Sequence, residues 1–139
     1  GAAELALHAV QETASMQDLR DTLARRIRDL IPGARLNGHP ERRLPNTLNL
    51  TLPGLRGESL VVALDQHGIS LSSGSACKSG SPEPTHVLMA MGMSEEEVHC
   101  SVRFSLSRET SASDIDDTVD AIERVLEEME TTVRFLPCK

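Results

Sequence analysis

Two long stretches with helical spacing of apolar residues enclose several short stretches in which apolar and polar residues alternate. The first predicts an amphipathic helix from about Glu4 to Leu30, which Pro32-Gly33 ends. The second begins after Ser111, which together with Asp114 can cap a helix start, and continues to about Thr131. The apolar positions that carry this spacing are Met16, Leu19, Leu23, Ile27, Leu30 and Ile31, and then Ile115, Val119, Ile122, Leu126 and Met129.

The alternating stretches between these helices are typical of half-buried strands. With 139 residues the chain is long enough for one domain with its own core and too short for two ordinary domains. Helices that must cover a small sheet of mixed or antiparallel strands predict an α+β fold. The predicted strands are 34–37, 47–52, 69–71 and 102–106, and shorter helices are expected over 57–67, from 84 to 90 and around 95–97.

The composition excludes several classes of protein. The net charge of −7 would repel a phosphate backbone. The chain has no Trp or Tyr and only two Phe, so it has almost no aromatic side chains on which bases could stack. No apolar run is long enough to span a membrane, and the N-terminus does not resemble a secretory signal. Three cysteines are too few for a disulfide framework, so we expect a cytoplasmic protein. From the charge, the scarcity of aromatic residues and the short apolar runs, we expect no nucleic-acid or membrane partner.

One segment, residues 72–84 (S-S-G-S-A-C-K-S-G-S-P-E-P), is rich in Ser, Gly and Pro and predicts a mobile loop. A lone cysteine is usually a small buried hydrophobe, and we interpret Cys100 and Cys138 in that way. Cys77 differs, because neighbouring Lys78 and a helix expected to begin after Pro84 both favour the thiolate. Cys77 is therefore the candidate catalytic nucleophile.

The same segment carries a family resemblance. Residues 72–88 resemble the catalytic-loop signature of cysteine desulfurases of the NifS/IscS type. The resemblance spans nearly the whole chain but only the final third of the family's length. It extends to R-L-N-G-H-P at 35–40, L-P-N-T-L-N at 44–49, G-E-S-L at 57–60 and V-R-F-S-L at 102–106.

This resemblance implies the small C-terminal domain of a fold-type I transferase that depends on pyridoxal 5'-phosphate. Such enzymes convert L-cysteine to L-alanine and keep the sulfur as a persulfide, which Cys77 would carry. Arg103 matches the family arginine that holds the substrate carboxylate, a task suited to a planar guanidinium. The resemblance also implies a homodimer, and a sulfur acceptor or an iron-sulfur scaffold protein as partner.

Only two lysines are available to bind the cofactor, Lys78 in the predicted loop and Lys139 at the terminus. The resemblance implies that the large cofactor-binding domain is missing and that residues 1–31 are the helix that links the two domains. The chain alone should then bind no pyridoxal phosphate and be inactive. No metal is expected, because the histidines and cysteines fit no zinc-ligand spacing. Two alternatives stay open: a stand-alone persulfide carrier or docking module without the cofactor, and a regulatory or assembly subunit.

Overall fold

The computed structural model describes residues 1–78 and 81–135, with side chains described outside 75–84 and 131–135. Within these ranges, the helices are α1 (Ala2–Leu30), α2 (Gly57–Asp65), α3 (His86–Ala90), α4 (Glu95–His99) and α5 (Ala112–Phe135). The strands are β1 (Arg35–Leu36), β2 (Thr47–Thr51), β3 (Ser72–Ser73), β4 (Ser75–Lys78), β5 (Ser81–Pro84) and β6 (Ser101–Ser105).

Four strands form one antiparallel sheet in the order β1-β2-β6-β3. Strand β6 lies inside the sheet, so both of its edges are paired. Because successive side chains of a strand point to opposite faces, Val102 and Phe104 share one face and Arg103 and Ser105 share the other. Strands β4 and β5 form a separate antiparallel hairpin, in which Cys77 is the pairing partner of Pro82.

The core lies between one face of the four-stranded sheet and the helices α1, α2 and α5. Its centre is aliphatic, as the scarcity of aromatic residues requires: Ile27, Leu48 and Ile122 are all 0% exposed. Burial of such side chains is the main favourable term in folding. The α+β prediction is confirmed, and the sheet is antiparallel throughout.

The predicted end of the first long helix and the predicted start of the second are also confirmed, whereas α5 continues to Phe135, beyond the predicted end at about Thr131. Helix α1 ends before Pro32-Gly33, where Gly33 takes a positive φ of 86° that favours glycine. At the start of α5, the Asp114 N–H donates to Ser111 Oγ at 3.3 Å, and the Ser111 N–H donates to Asp114 Oδ2 at 2.7 Å. No helix in the described ranges is long and apolar enough to cross a membrane.

Two predicted boundaries differ from the structure. The strand expected at 69–71 is wrong, because the Ile69 N–H closes the end of α2 by donating to Leu64 O at 3.0 Å. The sheet instead takes Ser72 and Ser73, whose pairing with β6 does not depend on apolar side chains. The predicted loop at 72–84 therefore contains strand backbone on both sides of residues 79–80, which lie outside the described residues. Its mobility stays a prediction.

Candidate active site

A row of three polar residues crosses the sheet on the face opposite the core. Arg103 in β6 pairs directly with Asn49 in β2 on one side and with Ser72 in β3 on the other. Directly opposed residues of antiparallel strands place their Cβ atoms about 5 Å apart, close enough for all three side chains to act on one small ligand. The sheet therefore brings the predicted substrate anchor Arg103 next to the start of the cysteine-bearing segment.

The guanidinium of Arg103 is accessible and weakly engaged. Its Nη2 donates to Ser72 Oγ at 3.4 Å, a long hydrogen bond, and the residue is exposed. Across the described part of the chain no carboxylate forms an ion pair with it. A guanidinium fork without an acidic partner can accept a ligand carboxylate through two parallel hydrogen bonds.

A hydrogen-bonded cluster behind this row holds the polar face in shape. Thr51 Oγ1 donates to Asn37 Oδ1 at 2.9 Å and lies 3.0 Å from Ser101 Oγ, which in turn donates to the Glu97 carbonyl at 2.7 Å. Thr51 is 2% exposed and Ser101 is 0% exposed, so both hydroxyls are buried and satisfied. A buried hydroxyl group without a hydrogen-bond partner would destabilise the fold.

Asn49 connects this cluster to Arg103. Its Oδ1 accepts a hydrogen bond from Asn37 Nδ2 at 2.7 Å, which fixes the orientation of the Asn49 amide. Its amide N–H donors then have no protein partner in the described part of the chain and belong to the polar face. Sequence reasoning missed Asn37, Asn49, Thr51 and Ser101, although polar residues at every second position of T-L-N-L-T and S-V-R-F-S marked this face.

The cysteine hairpin is attached to the sheet through Gly74. The Gly74 N–H donates to Ser101 O at 2.7 Å, and the Thr85 N–H donates to Gly74 O at 3.0 Å, so both ends of the hairpin meet there. A Cβ at Gly74 would lie 2.3 Å from Val98 O, a contact that excludes every residue except glycine. Helix α4 packs against β5 and supports the same end of the hairpin.

The attachment limits how far Cys77 can be from the polar row. Cys77 follows Ser72 by five residues, and an extended chain advances about 3.3 Å per residue, so their Cα atoms are at most about 17 Å apart. The side chain of Cys77 lies outside the described side chains, and its role as nucleophile stays a prediction. Cys100 is 8% exposed, in agreement with a structural thiol, while Cys138 lies outside the described residues.

The described residues do not fit a pyridoxal phosphate site by themselves. Such a site needs a lysine for the covalent link, a cradle for the phosphate and an acidic partner for the ring nitrogen. The chain's two lysines, Lys78 and Lys139, lie outside the described side chains. Arg103, Asn49 and Ser72 together are suited to a small carboxylate ligand, which is a different task.

Known proteins resemble this chain in sequence. The family described as Aminotransferase class-V matches residues 3–118. Cysteine desulfurase 2 of Trichormus variabilis is 40% identical over 134 residues, which cover 96% of this chain and 34% of the relative. Cysteine desulfurase NifS of Azotobacter vinelandii is 40% identical over 129 residues, which cover 92% of this chain and 32% of the relative. The chain thus spans about a third of the length of these relatives.

Solved structures share the fold. A protein titled NifS-like protein superposes with a TM-score of 0.73 at 30% identity over 89% of this chain and 31% of its own. A NifS-like protein from Rickettsia africae gives a TM-score of 0.70 at 29% identity over 83% of this chain and 29% of its own. The likeness therefore includes the sheet and its helices as well as the sequence motifs.

Proposed function

The chain belongs to the class V aminotransferase family, and from this premise we propose that it is the part of a cysteine desulfurase that binds the substrate carboxylate and receives the sulfur. The observation that carries the proposal is the row on the polar face. Arg103 lies there with an exposed guanidinium between Asn49 and Ser72, in register with the strand that leads into the cysteine hairpin.

Arg103 is the substrate anchor in this proposal. L-Cysteine presents an α-carboxylate, and a bidentate guanidinium contact would fix both its position and its orientation. Asn49 can add an N–H donor to the same carboxylate, because its own carbonyl oxygen is already engaged by Asn37. Two donors from adjacent strands would hold the substrate against a rigid sheet.

Cys77 is the sulfur acceptor. In the proposed reaction its thiolate attacks the substrate sulfur, so that an S–S bond forms on Cys77 Sγ while the carbon–sulfur bond of L-cysteine breaks. The electron pair of that bond stays with the three-carbon fragment, which takes up a proton and leaves as L-alanine. Pyridoxal phosphate supplies the electron sink for this chemistry in the family. The described residues offer it no site, so only carboxylate binding and sulfur acceptance are assigned to this chain.

The hairpin suits a group that must collect and then deliver sulfur. It is fixed at Gly74, and besides Ala76 and Cys77 it consists of Ser, Gly, Pro and the charged residues Lys78 and Glu83. A hairpin held only at its base beside the substrate face can present Cys77 to the substrate and afterwards to an acceptor. We propose that this acceptor is a sulfur-receiving or iron-sulfur scaffold protein, that the full-length protein is a homodimer, and that it works in the cytoplasm.

The test follows the sulfur in the full-length protein loaded with pyridoxal phosphate and L-cysteine. The proteolytic peptide that contains Cys77 should gain the mass of one sulfur atom as L-alanine appears. Cys77→Ser should abolish this gain, whereas the matched change Cys100→Ser should leave it intact. Persulfide on Cys100 or Cys138 in the Cys77→Ser protein would assign the chemistry to a different thiol.

A second measurement separates the enzyme from a cofactor-free carrier module. The intact mass of the natural protein shows whether a cofactor-binding domain is covalently continuous with this chain. A natural protein of this length that accepts persulfide and forms no L-alanine would contradict the desulfurase and favour the carrier. Alkylation with iodoacetamide at neutral pH should modify Cys77 before Cys100 in either case, because Cys100 is buried.

A further inference from the structure

A groove of about 720 Å³ lies between the C-terminal part of α1 and the edge strand β1, away from the polar row. Its lining carries four guanidinium groups and two carboxylates, in a chain whose net charge is −7. A local excess of positive charge on an acidic protein is typical of a surface that recognises an anionic partner. The charged residues are Arg25, Arg28, Arg35 and Arg43, with Asp21 and Asp29.

Part of this positive charge is uncompensated, although Arg35 forms an ion pair with Glu97 of α4 and Arg43 forms one with Asp21. Arg25 and Arg28 are exposed, one turn apart on α1, and neither has an ion pair or side-chain hydrogen bond to a described residue. At the end of the groove, Arg20 and Arg43 share a single oxygen, Asp21 Oδ1, at 2.8 and 2.9 Å. Two guanidinium nitrogens of Arg43, Nε and Nη1, are buried without a partner among the described residues.

The lowered pKa of Arg43 also indicates that its positive charge is incompletely balanced. Burial lowers it from its ordinary value, and the positive charge of Arg20 lowers it further, while Asp21 opposes both effects. One carboxylate therefore only partly balances two guanidiniums. An anion placed in the groove would relieve the remaining repulsion.

The groove also contains a free strand edge. Strand β1 is the last strand on its side of the sheet within the described residues. The Asn37 N–H donates to Asn49 O at 3.0 Å, and the register pairs Arg35 with Thr51, so Leu36 between them directs its N–H and C=O away from β2. A free edge of this kind accepts an extended peptide as an additional strand.

We propose that this groove is a docking site for an extended acidic segment of a partner protein, which pairs with the β1 edge and places carboxylates on Arg25 and Arg28. Alternate side chains of a strand are about 6.6 Å apart, and helical residues three apart have Cβ atoms about 5–6 Å apart. Carboxylates at every second position of the segment therefore match the two arginines. The site requires neither Cys77 nor the substrate, so it can be tested independently of the proposed reaction.

The test uses the chain as it exists and a fluorescent peptide with Glu at alternating positions. Fluorescence anisotropy should show saturable binding, equal for the unaltered chain and for Cys77→Ser. Arg25→Glu/Arg28→Glu should weaken binding at least about tenfold, because two close charge pairs become repulsive. The control Arg56→Glu/Arg124→Glu changes two exposed arginines outside the groove by the same charge and should alter binding by less than about twofold.

Backbone pairing is tested with N-methylated peptides. Methylation of alternate peptide nitrogens that face β1 should abolish binding, and methylation of the other alternate set should preserve it. Equal loss of binding in the two arginine double variants would overturn the proposal in favour of unspecific attraction. The proposal would also be overturned if neither methylation pattern changed peptide binding and inorganic phosphate displaced the peptide completely. The groove would then be a simple oxyanion site.

Discussion

The two faces of the four-stranded sheet are built from the same strands and have opposite characters. On the core face, Val102 and Phe104 of β6 are 0% and 5% exposed beneath the helices α1, α2 and α5. On the other face, Arg103 and Ser105 of the same strand are exposed. The alternation of a single strand thus places apolar side chains in the core and leaves the proposed substrate anchor, Arg103, on the accessible face.

The polar face is itself divided into two parts. Thr51 and Ser101 are as buried as the core residues, and their hydroxyls are satisfied within the cluster that includes Asn37. Arg103 has only the weak contact to Ser72. Satisfied polar groups fix the backbone geometry, while an unengaged guanidinium keeps its binding capacity for a ligand.

The largest expected effect is the loss of stability when a side chain on the core face is removed. Leu48→Ala removes a side chain that is 0% exposed and leaves a cavity beneath α1, so the free energy of unfolding should fall by about 2–5 kcal/mol. The matched change Leu44→Ala alters a leucine that is 66% exposed and should cost less than about 0.5 kcal/mol. Urea denaturation measures both, and similar losses would contradict the assignment of the core to this face.

The next effect separates binding from stability on the polar face. In the full-length protein, Arg103→Ala should lower kcat/KM for L-cysteine at least about tenfold, since a charge-assisted contact contributes about 1.5–3 kcal/mol. Cofactor content should not change. In the chain itself, the unfolding free energy should shift by less than about 0.5 kcal/mol, because Arg103 is exposed.

Arg56→Ala is the control for this experiment, because it removes an exposed arginine at the start of α2 rather than on the polar row. It should leave kcat/KM unchanged. Wild-type kcat/KM in Arg103→Ala would remove that residue from the site. A large loss of stability in the same variant would show that its guanidinium serves the fold.

The sequence predicted the helical part of this fold well, because its signals are local. Apolar spacing, the Ser111 cap and Pro32-Gly33 each act within a few residues, and the end of α1 and the start of α5 followed from them. The strands rest on longer-range pairing. Ser72 and Ser73 carry no apolar signal, and only their register with β6 places them in the sheet.

The same limit applies to the candidate site. Cys77 and Arg103 came from a motif and a resemblance, and their residue types alone are ambiguous. The cluster joins Thr51 of β2, Ser101 of β6 and Asn37, which directly follows β1. These residues are far apart in sequence, so sequence spacing could not reveal that they meet. Neither could it show that α1 and β1 leave an arginine-rich groove between them.

A smaller effect tests the buried cluster on the polar face. Thr51→Val keeps the shape of the side chain but leaves Asn37 Oδ1 and Ser101 Oγ each without one partner, which should cost about 1–2 kcal/mol of unfolding free energy. Thr47→Val, on the same strand and the same face but only half-buried, should cost less. In a double-mutant cycle with Ser101→Ala, strictly additive losses would contradict a coupled cluster.

The smallest expected effect concerns pH and Glu97, whose main-chain carbonyl also anchors Ser101. Hydrogen bonds from Arg35, and then from the Ser94 N–H and hydroxyl at the start of α4, lower the pKa of Glu97 to about 2. In the unfolded chain this carboxyl titrates at its ordinary pKa of about 4.3. Between these two values the unfolded state binds more protons, so the contribution of Glu97 to stability is full above about pH 4.3 and is lost as the pH falls towards 2.

Glu97→Gln should therefore flatten the decline of unfolding free energy on acidification over this window, as measured by urea titrations at successive pH values. Glu95→Gln is the control, because Glu95 is exposed in the same helical turn and makes no side-chain contact with a described residue. The lowered pKa of Asp114, caused by its hydrogen bonds from Ser111, should keep part of the acid sensitivity in both variants. The described strand residues on the core face carry no titratable side chain, so their contribution should not change with pH. If Glu97→Gln and Glu95→Gln decline in parallel with the unaltered chain, then Arg35 and Ser94 do not hold Glu97 in solution, and the polar face is less ordered at this edge than its hydrogen bonds indicate.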